Sequence, residues 1–322
     1  MKRILVTGGA GYIGSHTTLE LLDAGYDVVV VDNLSRGHRS AVEPARLREV
    51  DILDTPSLVR VMQEKPVDAV IHFAAYIAVG ESMQNPGLYF RNNVSGSISL
   101  LTAMQEAGVR NIVFSSTAAV YGMPTVVPIP ETLPYAPLSV YGETKVMIEK
   151  VLTWFGQTQG FRSVCLRYFN ASGADPAART GEDHEPETHL IPLLFRAIET
   201  GKPATLFGQD YPTPDGSCIR DYIHVSDLAR AHIGAVEWLL KGGESRHFNV
   251  GTGAGYSVRE EVPTYAARVV GKPVPHTWGP RREGDPALLV ADSSSLRNEL
   301  GWVPQDSALD RIVETAWRWY HR

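Results

Sequence analysis

From Arg3 the chain opens with the apolar run ILVT, passes through a glycine-rich loop, and continues with apolar residues at helical spacing in YIGSHTTLELLDAG. A second continuous apolar run, YDVVVVDN, follows. Short β-branched runs predict strands covered on both faces, and the 3.6-residue period between them predicts a crossover helix. The opening therefore reads as a βαβ unit. Further strands are expected at VDAVIHFAA, NIVFSS and SVCLRYFN, with helices at SISLLTAMQEAG and TKVMIEKVLTWFGQ between them. Strand and helix in alternation give an α/β fold, a doubly wound parallel sheet.

After Asn170 the period is lost. ASGADPAARTGEDHEPETH and GQDYPTPDGS are polar and rich in turn formers. Apolar helical spacing resumes at VSDLARAHIGAVEWLL. The expected organisation is a first domain over 1–170, with the chain returning to it at about 222–250. A smaller α/β lobe takes 171–221 and 251–322.

The 322 residues are 43% hydrophobic and 20% charged, the profile of a folded globular chain with ample core. A net charge of −6 supplies no basic field for a phosphodiester backbone, so a nucleic-acid partner is not expected. The two cysteines, Cys165 and Cys218, are too few for a disulfide framework or a cysteine-rich zinc centre and fit a reducing cytosol. No charged-then-apolar leader and no apolar run of about 20 residues is found, so neither export nor a membrane partner is expected.

In VTGGAGYIG, the glycines at 8, 9, 11 and 14 lie between strand and helix. Gly11 lets the backbone approach a pyrophosphate, Gly14 lets helix and strand pack closely, and the amides of the helix start face the anion. A dinucleotide is the expected ligand. Asp32 ends the second strand, where an acid accepts from the adenosine ribose hydroxyls and selects NAD over its 2′-phosphorylated form; Arg36 nearby leaves that choice less than closed. Asp51 and Ile52 follow a third strand, either reaching the adenine or serving as a helix cap and a core residue.

VYGETK sets Tyr141 and Lys145 one helical turn apart. A tyrosine with its ordinary pKa of about 10 is a poor base at neutral pH, and a neighbouring ammonium together with the positive nicotinamide ring would favour the phenolate. Alone, this spacing is common on amphipathic helices. Here it follows a dinucleotide-binding unit and FSSTAAVYG, a strand running into hydroxyls that include Thr117, so a hydroxyl and the phenol can meet over one substrate oxygen.

Taken together, TGGAGYIGS, FSSTAAVYG and YGETK resemble the extended short-chain dehydrogenase/reductases. HFAAYIAVGES, LRYFNASGA, GQDYPTPDGSCIRDYIHVSDLA, FNVGTG and PRREGDPA resemble, within that family, the branch that epimerises UDP-glucose and UDP-galactose at the sugar 4-position. The resemblance runs nearly end to end. It implies a Rossmann-type sheet domain with a smaller nucleotide-sugar lobe, a retained NAD, no metal, and a homodimer acting on a UDP-sugar. It implies Tyr141 as base, Lys145 tuning it and holding the nicotinamide ribose, and Thr117 on the sugar 4-oxygen. Cofactor contacts are implied for Gly8, Gly11, Tyr12, Ile13, Gly14, Asp32, Asn33, Asp51, Ile52, Phe73, Ala74, Ala75, Asn92, Tyr141, Lys145 and Phe169. Substrate contacts are implied for Thr117, Asn170, His189, Leu190, Phe207, Arg220, Arg282 and Asp285, with Leu289 setting the size of the sugar pocket. Arg220 taken alone would equally suit a solvated face or an ion pair with Asp221.

Three positions depart from the family pattern. Thr117 stands where many members have serine, Ile77 where some have lysine, and His189, which either donates to the diphosphate or caps a helix, where asparagine is common. A 4,6-dehydratase needs an acidic pair directly after the threonine, and Ala118 and Ala119 stand there. A UDP-glucuronate decarboxylase, a simple NAD-linked dehydrogenase and a non-catalytic dinucleotide sensor remain as alternatives.

Overall fold

The computed structural model describes residues 1–282 and 284–322. Its chain divides into two compact units, one of Met1–Gly122, Pro134–Tyr168 and Ala229–Phe248, the other of Met123–Leu133, Phe169–Leu228 and Asn249–Arg322. The return to the first unit comes at Ala229 rather than near 222, because the strand Tyr222–His224 pairs with Asn170–Ser172 inside the second unit.

In the first unit, β1 (Arg3–Thr7), β2 (Asp27–Asp32), β3 (Leu47–Glu49), β4 (Ala69–His72), β5 (Asn111–Thr117) and β6 (Arg162–Tyr168) pair in parallel. The seven-stranded order is β11-β6-β5-β4-β1-β2-β3, with β11 at Arg246–Val250. Chain order runs outward from β1 in one direction and from β4 in the other, so the sheet reverses between them. Such a switch point leaves a crevice at the strands' carboxyl ends.

The crossover elements are α1 (Tyr12–Asp23), α2 (Thr55–Glu64), α3 (Val79–Gln84), α4 (Pro86–Tyr89), a π-helical stretch Phe90–Ser95 leading into α5 (Gly96–Glu106), and α6 (Val140–Gln159). β1, β2 and β4 bury nearly every residue, as strands covered on both faces must. Leu58, Met62, Leu100, Met104, Ile148 and Leu152 from α2, α5 and α6 pack with Val29, Val70, Ile112 and Phe114 into one core.

α6 is fastened to the sheet by charge as well as by apolar contact. Glu149 faces Arg167 of β6 at 2.6 Å, and both are buried. Tyr121 and Tyr135 hydroxyls accept from the same guanidinium at 2.9 and 2.8 Å, the Tyr135 hydroxyl donates to Glu149 at 2.7 Å, and Ser116 of β5 also donates to that carboxylate. Burial alone would raise the Glu149 pKa, but these partners hold it below the usual range.

The second unit carries β7 (Asn170–Ser172), α7 (Leu190–Thr200), β8 (Ala204–Phe207), β9 (Ile219–Arg220), β10 (Tyr222–His224), the start of α8 (Val225–Leu240), β12 (Tyr256–Ser257), α9 (Glu261–Val270), β13 (His276–Gly279), β14 (Leu288–Leu289), α10 (Ser294–Leu300) and α11 (Leu309–Tyr320). Its core joins Leu194, Phe195, Leu206, Val262, Ile312 and Val313 from α7, β8, α9 and α11. No helix among the described residues is long and apolar enough to cross a membrane.

Removing one member of a buried ion pair strands the other's charge, at a cost of about 3–5 kcal/mol. Urea unfolding of Arg167→Met is expected to show a loss of that order, and Arg167→Met with Glu149→Leu to recover part of it. A single variant as stable as the parent would contradict the role given to the pair.

Candidate active site

At the switch point, β1 runs into Gly8, whose φ of +70° is left-handed and whose added Cβ would lie 2.6 Å from the Ala74 amide nitrogen just beyond β4. A Cβ on Gly14 would sit 2.1 Å from the Gly8 carbonyl oxygen, so helix and strand touch there. Gly11 differs. A Cβ there would meet only the Gly8 carbonyl oxygen, at an ordinary 3.4 Å, and Gly11 begins α1 without a side-chain cap. The protein's own packing leaves that space open at a helix start, whose free amides favour an anion. Tyr12 and Ile13 form the first turn behind it.

Asp32 is buried at the end of β2. Its Oδ2 accepts from Ala10 N at 3.0 Å and its Oδ1 from Leu34 N at 2.8 Å. Burial raises its pKa and the two amides oppose the rise. Asn33 donates to Asp51 at 2.9 Å. Asp54, not Asp51, caps α2, and Ile52 is buried where Gly96 leaves room for it. Arg36 is engaged with both oxygens of Glu81, at 2.9 and 3.2 Å. These residues suit a dinucleotide with an unphosphorylated ribose.

Phe73, Ala74 and Ala75 leave the end of β4, with Phe73 N bonded to Thr7 O at 3.0 Å. Asn92 lies in the π-helical stretch and donates to Asn93 Oδ1 at 2.9 Å. Asn93, which sequence reasoning passed over, ties Tyr76 O at 3.0 Å to Thr144 of α6 at 3.2 Å. His72 was also missed. It is buried between Thr7 at 2.7 Å and Ser97 at 2.8 Å, and burial, then the charge of Lys145, takes its pKa down to about 3, so it stays neutral.

Thr117, Tyr141 and Lys145 come together where β5 and α6 meet. Thr117 ends β5, its hydroxyl accepting from Ala119 N at 3.1 Å. Ser139 caps α6 through Gly142 N at 3.1 Å, and Ser82 accepts from Tyr141 N at 3.1 Å, fixing the turn that carries the phenol. Lys145, 1% exposed, donates to Ser115 O at 2.8 Å. Its Nζ lies 5.8 Å from the Tyr141 ring centre and 4.9 Å from that of Phe114.

Together, the protein's own groups do not lower the Tyr141 pKa. Surrounding protein pushes the Tyr141 pKa up to about 12, against a lowering hydrogen bond to Thr117. Burial takes Lys145 down to about 7, against the raising charge of Glu149. A lysine that is itself half discharged near neutrality does not lower its neighbour, so the protein's own field leaves Tyr141 a phenol.

In the second unit, Arg220 of β9 reaches Asp285 at 2.7 Å, and Asp285 N bonds to Arg282 O at 3.3 Å. The Arg282 guanidinium stacks 4.3 Å above Phe207 of β8. Leu289 of β14 is in register with Arg220. Arg220, Arg282, Asp285, Phe207 and Leu289 thus form one group; Glu283, within the quoted PRREGDPA run, lies outside the described residues. Asp221 is not the partner of Arg220. Its buried carboxylate accepts from Thr252 N and Oγ1 at 2.9 and 2.6 Å, Gly253 N at 3.0 Å and Ala291 N at 3.1 Å. Asn170 donates to Asp221 O at 3.0 Å, and Phe169 N to Val250 O at 3.3 Å. His189 precedes Leu190 at the start of α7 without capping it, its Nδ1 facing Glu182 and Glu187 instead.

Gly11→Ala is expected to change stability by less than about 1 kcal/mol while weakening NAD at least about tenfold, whereas Gly14→Ala destabilises the fold itself. Thermal melts with an NAD titration separate the two; equal stability losses would remove the distinction. Lys145 has its own signature. Its folded pKa of about 7 lies below the 10.5 of a free lysine, so between those values the unfolded chain holds a proton that the folded chain does not. Stability therefore rises with pH across that window, and Lys145→Met abolishes the rise. Parallel pH profiles for parent and variant in urea unfolding would contradict this.

Residues 4–251 match the model of the NAD dependent epimerase/dehydratase family. A UDP-glucose 4-epimerase of Lacticaseibacillus casei is 50% identical over 98% of this chain and 96% of its own length. The crystal structure of UDP-glucose 4-epimerase from Brucella ovis in complex with NAD superposes with a TM-score of 0.95 at 47% identity, over 99% of this chain and 98% of that one. The enzyme from Bifidobacterium longum in complex with NAD+ and UDP gives 0.92 at 37% identity, with 99% and 98% covered. The glycine loop, the buried acid of β2 and the hydroxyl, phenol and ammonium of β5 and α6 are therefore those of a chain that belongs to the NAD dependent epimerase/dehydratase family.

Proposed function

We propose that this protein interconverts UDP-glucose and UDP-galactose by NAD-dependent inversion at the sugar 4-position through a 4-keto sugar. The observation that carries the reading is the meeting of Thr117, Tyr141 and Lys145 at the junction of β5 and α6 with no acidic side chain at Ala118 or Ala119. Elimination of water would need a proton donor and acceptor there.

When bound, NAD supplies the acceptor and then the donor for the hydrogen on the sugar C4, and its positive ring adds the field the protein lacks. Bringing a phenol from about 12 to neutrality takes on the order of 7 kcal/mol of differential stabilisation. Tyr141 Oη takes the proton of the sugar 4-hydroxyl and returns it, and Thr117 Oγ1 hydrogen-bonds the same oxygen. Lys145, anchored on Ser115 O, is placed to hold the nicotinamide ribose. Gly8, Gly11 and Gly14 admit the pyrophosphate, and Asp32 accepts from the adenosine ribose.

Arg220 and Arg282 hold the diphosphate, since planar guanidinium donors fork onto phosphate oxygens. Binding energy concentrated on the nucleotide leaves the sugar free to turn between its two faces. Leu289, between an aromatic and a small side chain in size, supports activity on the two neutral hexoses. Two buried free cysteines support a cytosolic setting. A homodimer through α5 and α6 is supported by apolar side chains left outward there, Ile98, Met147 and Trp154, the last 65% exposed.

Purified protein given UDP-galactose and no added cofactor is expected to yield UDP-glucose, with deuterium at C4 retained through many turnovers. Tyr141→Phe is expected to lose several orders of magnitude in kcat while binding UDP unchanged. Undiminished turnover in that variant, or release of water or carbon dioxide from the sugar, would overturn the reading.

A further inference from the structure

The run GEDHEPETH folds two carboxylates and two imidazoles around one point of the second unit. Glu182 Oε1 lies 2.7 Å from His189 Nδ1 and 3.3 Å from His184 Nδ1. Glu187 brings Oε1 to 3.0 Å from His189 Nδ1 and Oε2 to 3.8 Å from His184 Nδ1. One donor atom from each of the four lies within 4.8 Å of every other. A tetrahedral ion with bonds of about 2.0–2.2 Å sets its ligands roughly 3.3 Å apart. The four nitrogen–oxygen separations straddle that value.

A second observation concerns direction. The Glu182 side chain is 9% exposed, and its buried Oε1 meets neither imidazole nitrogen in good hydrogen-bond geometry although both lie within reach. The atoms are close to each other without aiming at each other, as donors around a common centre are. Among the described residues, neither carboxylate is paired with an arginine or lysine; their only ionic partners are the two histidines. The buried cluster of Glu149, Cys165 and His247 differs in this respect, because Arg167 already supplies its cation.

The surroundings hold the ligands in place. Trp319 Nε1 donates to Glu182 O at 2.9 Å, and the Trp319 ring fills the space a side chain at Gly181 would need. The amides of Thr188 and His189 each donate to Glu187 Oε1 at 2.7 Å, which leaves Oε2 for an ion. One contact opposes binding. His189 Nδ1 and Glu187 Oε1 hydrogen-bond to each other, so an ion must displace a proton from between them.

We infer that Glu182, His184, Glu187 and His189 form a divalent transition-metal site. Two imidazoles and two carboxylates without a thiolate suit Zn2+ or Co2+ better than the oxygen-seeking Mg2+ or Ca2+. The ion would staple the segment 182–189 onto the start of α7 and takes no part in the proton transfer proposed for Tyr141. With Nδ1 on the ion, His189 keeps only Nε2 for any other ligand.

Tag-free protein stripped with EDTA and titrated with ZnCl2 in a calorimeter is expected to bind one ion per chain, with a heat that depends on the buffer because protons are released. Co2+ in its place should give the visible bands of a four-coordinate nitrogen and oxygen site. The double variant His184→Ala, His189→Ala should lose at least the ~10–100-fold in affinity that disturbing a metal site costs. Glu182→Gln, which keeps the shape of the segment, should weaken binding and bleach the Co2+ bands, and it decides the matter if the double variant misfolds. Zn2+ uptake equal in parent and Glu182→Gln, or no uptake by the parent, overturns the site.

Discussion

The carboxylate of Glu149 and the guanidinium of Arg167 meet in the interior of the first unit, and the placement of Tyr141 and Lys145 depends on that meeting. Glu149 stands one helical turn beyond Lys145 and two beyond Tyr141 on α6. Two charges taken out of water cost several kcal/mol each unless every lone pair and proton finds a partner. Here Ser116, Tyr121 and Tyr135 complete the set, and they come from β5 and from the loops either side of Gly122. The helix is therefore fixed to the sheet at a position that apolar packing alone would leave adjustable, and Lys145 is delivered to the carbonyl of Ser115.

A second theme is that, in each unit taken by itself, the charged groups are satisfied one by one rather than by a diffuse field. Lys145 has one carbonyl and an aromatic face, Asp32 has two amides, Asp221 has four donors, and Arg220 has Asp285. Arrangements of this kind hold geometry firmly but do not create a strong base. The high pKa of Tyr141 and the low pKa of Lys145 share one cause, the desolvation of both side chains by the protein around them.

What the sequence made legible was what is local. The glycine loop, the acid at the end of β2 and the tyrosine and lysine one turn apart are defined by spacings of a few residues, and each falls on the element expected of it. The partners are another matter. Arg167 and Glu149 belong to different elements, His72 finds Ser97 across the interior, and Asp221 is satisfied by Thr252 and Ala291, far along the chain. No periodicity announces such contacts, because they arise from the packing of elements and not from any one of them. The same holds for Arg220, whose neighbour in sequence, Asp221, is turned to other donors while Asp285 arrives from the loop before β14. Spacing likewise reports an ammonium near Tyr141, but not how far burial discharges that ammonium or opposes ionisation of the phenol.

Of the loop glycines, Gly8 and Gly14 are demanded by the backbone around them, whereas Gly11 is not. The protein's own packing does not keep it bare, so the reason for its bareness lies outside the fold. In descendants of this lineage that have stopped binding a dinucleotide, drift should fill position 11 first, while 8 and 14 stay glycine for as long as the sheet persists. The identity of that single residue would then serve as a marker of lost cofactor dependence among otherwise intact folds.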